Sequence, residues 1–216
     1  IKGIRKYIEL IKKHKKIKND YDFLLVGYSD NQIIPILAKK LSKKKVIWDA
    51  FYSLYDAYVF DKELVSKKSL KARIYYFLDW LACRLSDVIL LDTDEHIKYF
   101  VDTFKVKREK FVKVLVGSDD SVLFPKKVDD TSDKFIVNFI GKYIPLQGTE
   151  YILHAAKELE KENDIFFRLI GAGQKYNESE KLVDELKLKN VEMLDKISYE
   201  EMPKCIGSAS VCLGIF

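Results

Sequence analysis

The chain has 216 residues, 48% of them hydrophobic with 13 Tyr and 13 Phe, enough for one large domain or two modest ones around a real core. No apolar run reaches the length of a membrane-spanning helix; the best, residues 74–91, is broken by Asp79, Arg84 and Asp87, and signal-peptide features are absent. The net charge of +5 is uneven, because residues 1–18 hold eight Lys/Arg against Glu9 alone. A basic helix of this kind suits anionic lipid or nucleic acid, and equally a solvated surface. Peripheral membrane contact is kept as an expectation, and no nucleic-acid partner is expected. The chain opens within a helical pattern without an initiator methionine and stops on the strand-like VCLGIF, so a piece of a longer protein is expected. Cys83, Cys205 and Cys212 lack metal-ligand spacing and read as reduced core thiols of a cytosolic protein.

In chain order, the first helix has Ile4, Ile8, Leu10 and Ile11 as its apolar side, with lysines opposite. Residues 21–27 read as a buried strand, 33–41 as a helix with Pro35 tolerated in its first turn, and 46–51 (VIWDAF) as a strand ending near Asp49. An aromatic-rich connection (Phe51, Tyr52, Tyr55, Tyr58, Phe60) leads to a long helix, 70–85, with Ile74, Leu78, Leu81 and Leu85 on one face. Strand 87–93, helix 95–104 and strand 111–117 complete an alternation that predicts a doubly wound α/β domain over residues 1–124. Residues 125–134 (PKKVDDTSDK) are polar and charged and read as an interdomain linker. The alternation then restarts, with strands at 135–141, 165–171, 191–195 and 211–216 and helices at 149–162, 177–188 and 199–208. This predicts a second α/β domain over 135–216, with a ligand cleft expected where the two sets of strand ends face each other.

The most informative stretch runs from Phe135 to Gln174, a strand–helix–strand unit with a right-handed crossover. Ligands of such sheets bind beyond the carboxyl ends of the strands, where GKYIPLQG and GAGQ fall. Gly141 permits a tight exit, Gly148 lets the backbone approach a ligand, Thr149 is a candidate cap, and the helix-start amides with Lys142 suit a phosphate. An ordinary loop with incidental glycines fits the same residues. IGAGQ (170–174) opens like a dinucleotide fingerprint, but Tyr176 holds the third glycine position and Asp195 lies near the end of the next strand. Asp92-Thr93-Asp94 has the spacing to hold a divalent cation; the alternative, that Thr93 or Asp94 caps the next helix, is favoured, with His96 facing solvent. Asp49, before clustered aromatics, either orients a hydroxyl beside rings that stack on a sugar or starts a helix beneath a packed lid. Asp119-Asp120 reads as a capped turn at the domain boundary.

FIGKYIPLQGTEYILHAAKEL, FRLIGAGQ, NVEMLDKISYEEMP and SVCLGIF together resemble the donor domain of family 4 glycosyltransferases, retaining two-domain enzymes of the GT-B fold. The family form has Gly-Arg, four residues, then Lys-Gly; here the same spacing gives Gly141-Lys142 and Gln147-Gly148. The resemblance puts Lys142 where an arginine grips the diphosphate, keeping the charge without the bidentate fork, and Gln147 where a lysine would stand. It matches Gly171, Gly173 and Gln174 to the second donor-side loop and Ile197 to the position whose backbone meets the nucleotide base. Residues 1–124 resemble the acceptor-side domain more loosely, with Asp49 standing where many members have a histidine. The first strand and glycine-rich loop of that domain are expected before Ile1, and a paired Glu-x7-Glu after Phe216, so this chain alone is expected to be inactive. The resemblance implies two Rossmann-like domains, both partial. It also implies metal-independent, retaining hexosyl transfer from a nucleotide-diphosphate sugar to a glycan or lipid-linked hydroxyl acceptor in the cytoplasm, with no cofactor. The alternatives are a non-catalytic nucleotide- or sugar-binding remnant and an NAD-dependent oxidoreductase using IGAGQ.

Overall fold

The computed structural model describes residues 2–18, 20–28, 31–124 and 134–214. Residues 125–133 of the expected linker and 215–216 of the expected last strand lie outside the described residues. The chain divides into two compact units, Ile1–Val116 and Gly117–Phe216. Each is built on its own four-stranded parallel sheet.

In the first unit β1 (Phe23–Val26), β2 (Lys45–Asp49), β3 (Val88–Leu91) and β4 (Phe111–Lys113) lie side by side in chain order. Crossovers between parallel strands are right-handed, so a sheet that steps one way collects its helices on one face. That face carries α2 (Ile33–Leu41), α4 (Leu70–Leu85) and α5 (Asp94–Phe104). Strand residues alternate across the sheet, so Val26, Val46, Trp48, Ile89, Leu91 and Phe111 point into this core against Ala38, Ala82, Ile97, Phe100 and Phe104. The opposite face, with Leu25, Ile47 and Val88 in one row and Leu90 and Val112 in the next, is not covered in the same way. Phe23 and Leu25 are each 55% exposed there and Val112 47%.

Several helices bury a different side from the one their apolar spacing suggests. The first helix, α1 (Lys2–Ile17), docks through half-buried Tyr7 and Ile11 and buried His14, with Leu10 lining a pocket beside Leu24, Leu25 and Ile34 and Ile8 left outward. Polar partners decide this: Asn31 donates to the Tyr7 hydroxyl, and His14 Nε2 meets the Tyr21 hydroxyl at 2.7 Å. In α4 the expected Ile74 stripe is displaced. Ala72, Asp79, Ala82 and Cys83 are buried instead, and Ile74 is 48% exposed. Small residues let α4 approach α2 and α3 (Leu54–Asp56) closely, and Asp79 is held there by hydrogen bonds. The helix α3 runs on as a π-helical turn, Ala57–Asp61, which the aromatic spacing did not signal. Of the three cysteines only Cys83 is a core thiol; Cys205 is half-buried and Cys212 exposed on a strand at the edge of the second sheet.

The second unit winds both ways. β5 (Phe135–Lys142), β6 (Ile165–Ala172), β7 (Val191–Leu194) and β8 (Val211–Leu213) pair in the order β7-β6-β5-β8. The chain therefore steps outward through β6 and β7, then crosses back to place β8 on the other side of β5. The helices α6 (Thr149–Glu158) and α7 (Tyr176–Leu186) cover one face, where Leu153, Ala156, Leu182 and Val183 meet Val137, Phe139, Phe167 and Leu169. The short α8 (Met202–Gly207) lies on the other face, where buried Asn138 donates to the Cys205 carbonyl at 3.3 Å and Arg168 reaches Ser208 at 3.4 Å. Reversal of strand order between β5 and β8 is the topological switch point of a doubly wound sheet, beside which such folds hold ligands.

Candidate functional site

Two loops at the carboxyl edge of the second sheet are stitched together by backbone. Tyr143 N donates to the Ala172 carbonyl at 3.2 Å, and Lys175 N donates to the Tyr143 carbonyl at 2.9 Å. This close approach explains the glycines of the GAG turn. A Cβ on Gly171, whose φ is +147°, would stand 1.9 Å from the Gly141 carbonyl oxygen, and one on Gly173 would stand 2.5 Å from the Tyr143 carbonyl oxygen. The ring of Tyr143 is wholly buried between Phe139 and Tyr176, with centroids at 5.9 and 5.0 Å, and burial pushes its hydroxyl pKa up. Gly148 has φ +56°, so it closes the short turn Pro145–Gln147 and opens α6 without strain. Thr149 does not cap that helix. It lies inside the first turn, buried, with its hydroxyl 3.0 Å from that of Ser179 on α7.

Above these strand ends is a pocket of about 400 Å³, lined among others by Gly141, Lys142, Gly171, Lys196, Ile197 and Met202. It combines apolar walls with two ammonium groups, and its lining contains no carboxylate. Four of the residues singled out from sequence, Gly141, Lys142, Gly171 and Ile197, are brought together here. Gln147, Gly148, Gly173 and Gln174 are not among its lining residues. Lys196 and Met202 were missed. The one signal for Lys196 was a cation two residues beyond the end of β7, at the carboxyl edge where ligands bind.

Asp49 belongs to a separate pocket of about 240 Å³ in the first unit, with Phe51, Leu90, Asp92 and Val114 in its wall. It is half-buried at the end of β2. Phe51 follows with φ +58°, a left-handed conformation that costs a bulky residue on the order of 1–3 kcal/mol and is held only by its surroundings. Part of that hold is aromatic, since the Phe51 ring lies 5.2 Å from Tyr28 and 6.3 Å from Tyr52. Two residues further on, the Asp79 carboxylate accepts from Ser53 Oγ at 2.8 Å and from the amides of Leu54 and Tyr55 at 3.2 and 2.8 Å. Burial pushes the pKa of Asp79 up to about 6 despite these bonds.

The Asp92-Thr93-Asp94 carboxylates are engaged separately. Asp92 Oδ1 is 2.5 Å from His96 Nδ1, while Asp94 pairs with Lys113 and, at 3.5 Å, Arg108. Thr93 caps α5, accepting from the His96 amide at 3.1 Å. The His96 side chain is 44% exposed, the solvent-facing position expected, and it also meets Asp92. Among the described residues no group of three or more His, Cys, Asp or Glu is placed to hold a metal ion. Asp119 accepts from the amide and hydroxyl of Ser121, the turn its sequence suggested.

Residues 120–213, within the second unit, match the model of the glycosyl transferases group 1 family. An uncharacterized glycosyltransferase of Methanocaldococcus jannaschii is 25% identical over 146 residues, covering 66% of this chain and 37% of that protein. Among solved structures, Anabaena HepE in complex with UDP and glucose superposes with a TM-score of 0.73 at 14% identity, over 95% of this chain and 55% of that one. The pneumococcal O-GlcNAc transferase GtfA in complex with UDP and GlcNAc gives 0.67 at 13% identity, over 95% and 39%. The likeness establishes the fold, an α/β chain of two parallel-sheet units of the GT-B type. The chain spans from a little over a third to a little over half the length of these proteins.

Proposed function

We propose that the chain is part of a retaining glycosyltransferase that moves a hexose from a nucleotide-diphosphate sugar to a hydroxyl acceptor without a metal ion. The observation that carries this reading is the pocket at the carboxyl edge of β5 and β6, which joins Lys142 to the glycine-lined strand ends within the residues that match the group 1 family. Structural neighbours that hold UDP with a sugar support a nucleotide-sugar donor. Breaking the bond between the anomeric carbon and the donor phosphate leaves negative charge on the diphosphate. An ammonium beside apolar walls stabilises that charge as it develops. In this reading Gly141 and Gly171 keep the floor of the pocket free of side chains, and Ile197 lies against the nucleotide base. Asp49, in the other unit, accepts a hydrogen bond from the acceptor hydroxyl and orients it. The acceptor is a glycan or lipid-linked sugar, and the reaction is cytoplasmic. The exposed lysines of α1 bring the enzyme to a membrane face.

The test is calorimetric titration of the full-length protein with UDP, GDP, ADP, CDP and dTDP. One of them binds, and Lys142→Ala weakens that binding at least tenfold. Unchanged affinity in the variant removes Lys142 from the diphosphate site, and no binding by the wild type removes the transferase reading.

A further inference from the structure

We propose that Lys196 is the second cation of the donor pocket and binds the diphosphate together with Lys142, an inference that rests on the transferase reading above. The two lysines reach one opening from different elements. Lys142 is the last residue of β5, and Lys196 stands in the connection between β7 and α8. In the strand order β7-β6-β5-β8, β6 separates their strands, so the two lysines line the pocket from elements on either side of the strand that carries Gly171. That strand end has no room for a side chain, because a Cβ on Gly171 would strike the Gly141 carbonyl. Gly171 itself therefore puts no side chain between the two lysines.

Charge balance identifies what belongs in it. Neither Lys142 nor Lys196 is in an ion pair among the described residues, whereas Lys39, Lys113 and Lys157 each have a carboxylate partner. With no Asp or Glu in the pocket wall, two like charges share an opening bounded by Ile140, Ile170 and Met202. Two ammonium groups at one opening with no carboxylate in its wall both attract an anion that enters it. One lysine matches a monoanion. Two, arriving from different directions, match a ligand with at least two negative charges spread over several ångströms, as in a nucleoside diphosphate. Position 147, where the resemblance places a lysine, is glutamine and is not among the pocket-lining residues. The connection after β7 supplies the charge.

The experiment compares Lys196→Ala, Lys196→Gln and Lys196→Arg with the wild type in full-length protein, titrating the nucleoside diphosphate that binds best and its monophosphate. Removing the charge should weaken the diphosphate at least fivefold and narrow the diphosphate-to-monophosphate affinity ratio at least threefold, with Lys196→Arg within twofold of wild type. Lys196 is exposed, so these variants should fold, which circular dichroism checks. If Lys196→Ala binds the diphosphate as the wild type does while Lys142→Ala loses tenfold, Lys196 is a solvated surface lysine and only this inference fails. An equal loss for both nucleotides also overturns it, since the contact is then not to the second phosphate. A wild type that binds none of the nucleotides overturns the transferase reading and this inference with it.

Discussion

Asp79 sits in the middle of α4 with no exposed surface and accepts three hydrogen bonds from the segment that begins α3. A carboxylate so placed looks like an error of amphipathic design when the helix is read alone. Its spacing falls on no apolar stripe, and its donors are 24 to 26 residues away in sequence. It is instead the anchor of the Ser53–Tyr55 segment that starts α3, two residues after the left-handed Phe51. The linkage is explicit. The folded pKa, about 6, lies above the ordinary 3.8, so the folded state binds the proton more tightly than the unfolded state between those values. Asp79 therefore adds stability below about pH 4 that is lost as pH rises through 6, with an upper bound of roughly 3 kcal/mol at 1.4 kcal/mol per pKa unit. Urea unfolding of wild type and Asp79→Asn at pH 4 and pH 7 isolates this term from the other carboxylates. Relative to the variant, the wild type should lose on the order of 2–3 kcal/mol between the two values. A pH-independent difference would mean that Asp79 titrates normally.

Among the elements, those whose hydrophobic spacing is set by the sheet were legible from sequence, and those positioned by polar contacts were not. The helices Ile33–Leu41 and Leu70–Leu85 have the limits their spacing gives, and every strand falls within or next to its predicted run. The loop glycines were legible as special positions, but their cause lay elsewhere. Gly171 and Gly173 make room for a neighbouring backbone rather than showing any approach of a ligand. Lys196 was hidden because a lysine after a strand is unremarkable in a chain with 38 Lys and Arg; only the pocket sets it apart. The face of α1 was misjudged for the opposite reason, since Tyr7 and His14 find hydrogen-bond partners that no apolar periodicity encodes. The result is a helix that leaves Ile8 and Ile17 46% and 51% exposed, beside exposed Arg5, Lys6, Lys12, Lys13, Lys15 and Lys16. Each lysine near an anionic bilayer contributes about 1 kcal/mol, and outward apolar residues add insertion. Sedimentation with phosphatidylserine-containing vesicles should therefore exceed that with pure phosphatidylcholine at least tenfold, and reversing Lys12, Lys13 and Lys16 to Glu should abolish the difference. Equal sedimentation would leave α1 as a solvated helix.

At the scale of the whole molecule the two sheets differ in how they are wound, and that difference was beyond the reach of local pattern. Alternating strands and helices predict parallel sheets without saying on which side of β5 the last strand inserts. The order β7-β6-β5-β8 sends α8 to the face opposite α6 and α7 and gives the second sheet cover on both sides. The order β1-β2-β3-β4 sends α2, α4 and α5 to one side only. All-parallel sheets normally have both faces covered, which is why their strands are apolar on both sides. Here the second side of the first sheet meets water along its edge strands, while Ile47, Val88 and Leu90 at its centre are half-buried. Phe23 and Leu25 remain 55% exposed, Val114 52% and Val112 47%, each forgoing roughly 1 kcal/mol of the transfer energy that full burial would supply. For the chain as given, the consequence is colloidal. In native buffer it should light up anilinonaphthalene sulfonate as a partly unfolded protein does, and its light scattering should grow with concentration. Leu25→Lys with Val112→Lys should quench the dye signal at least threefold while the melting temperature moves by less than about 4 °C, the shift expected for roughly 1 kcal/mol in a domain of this size. A native chain that leaves the dye dark would show that in solution this face is dry.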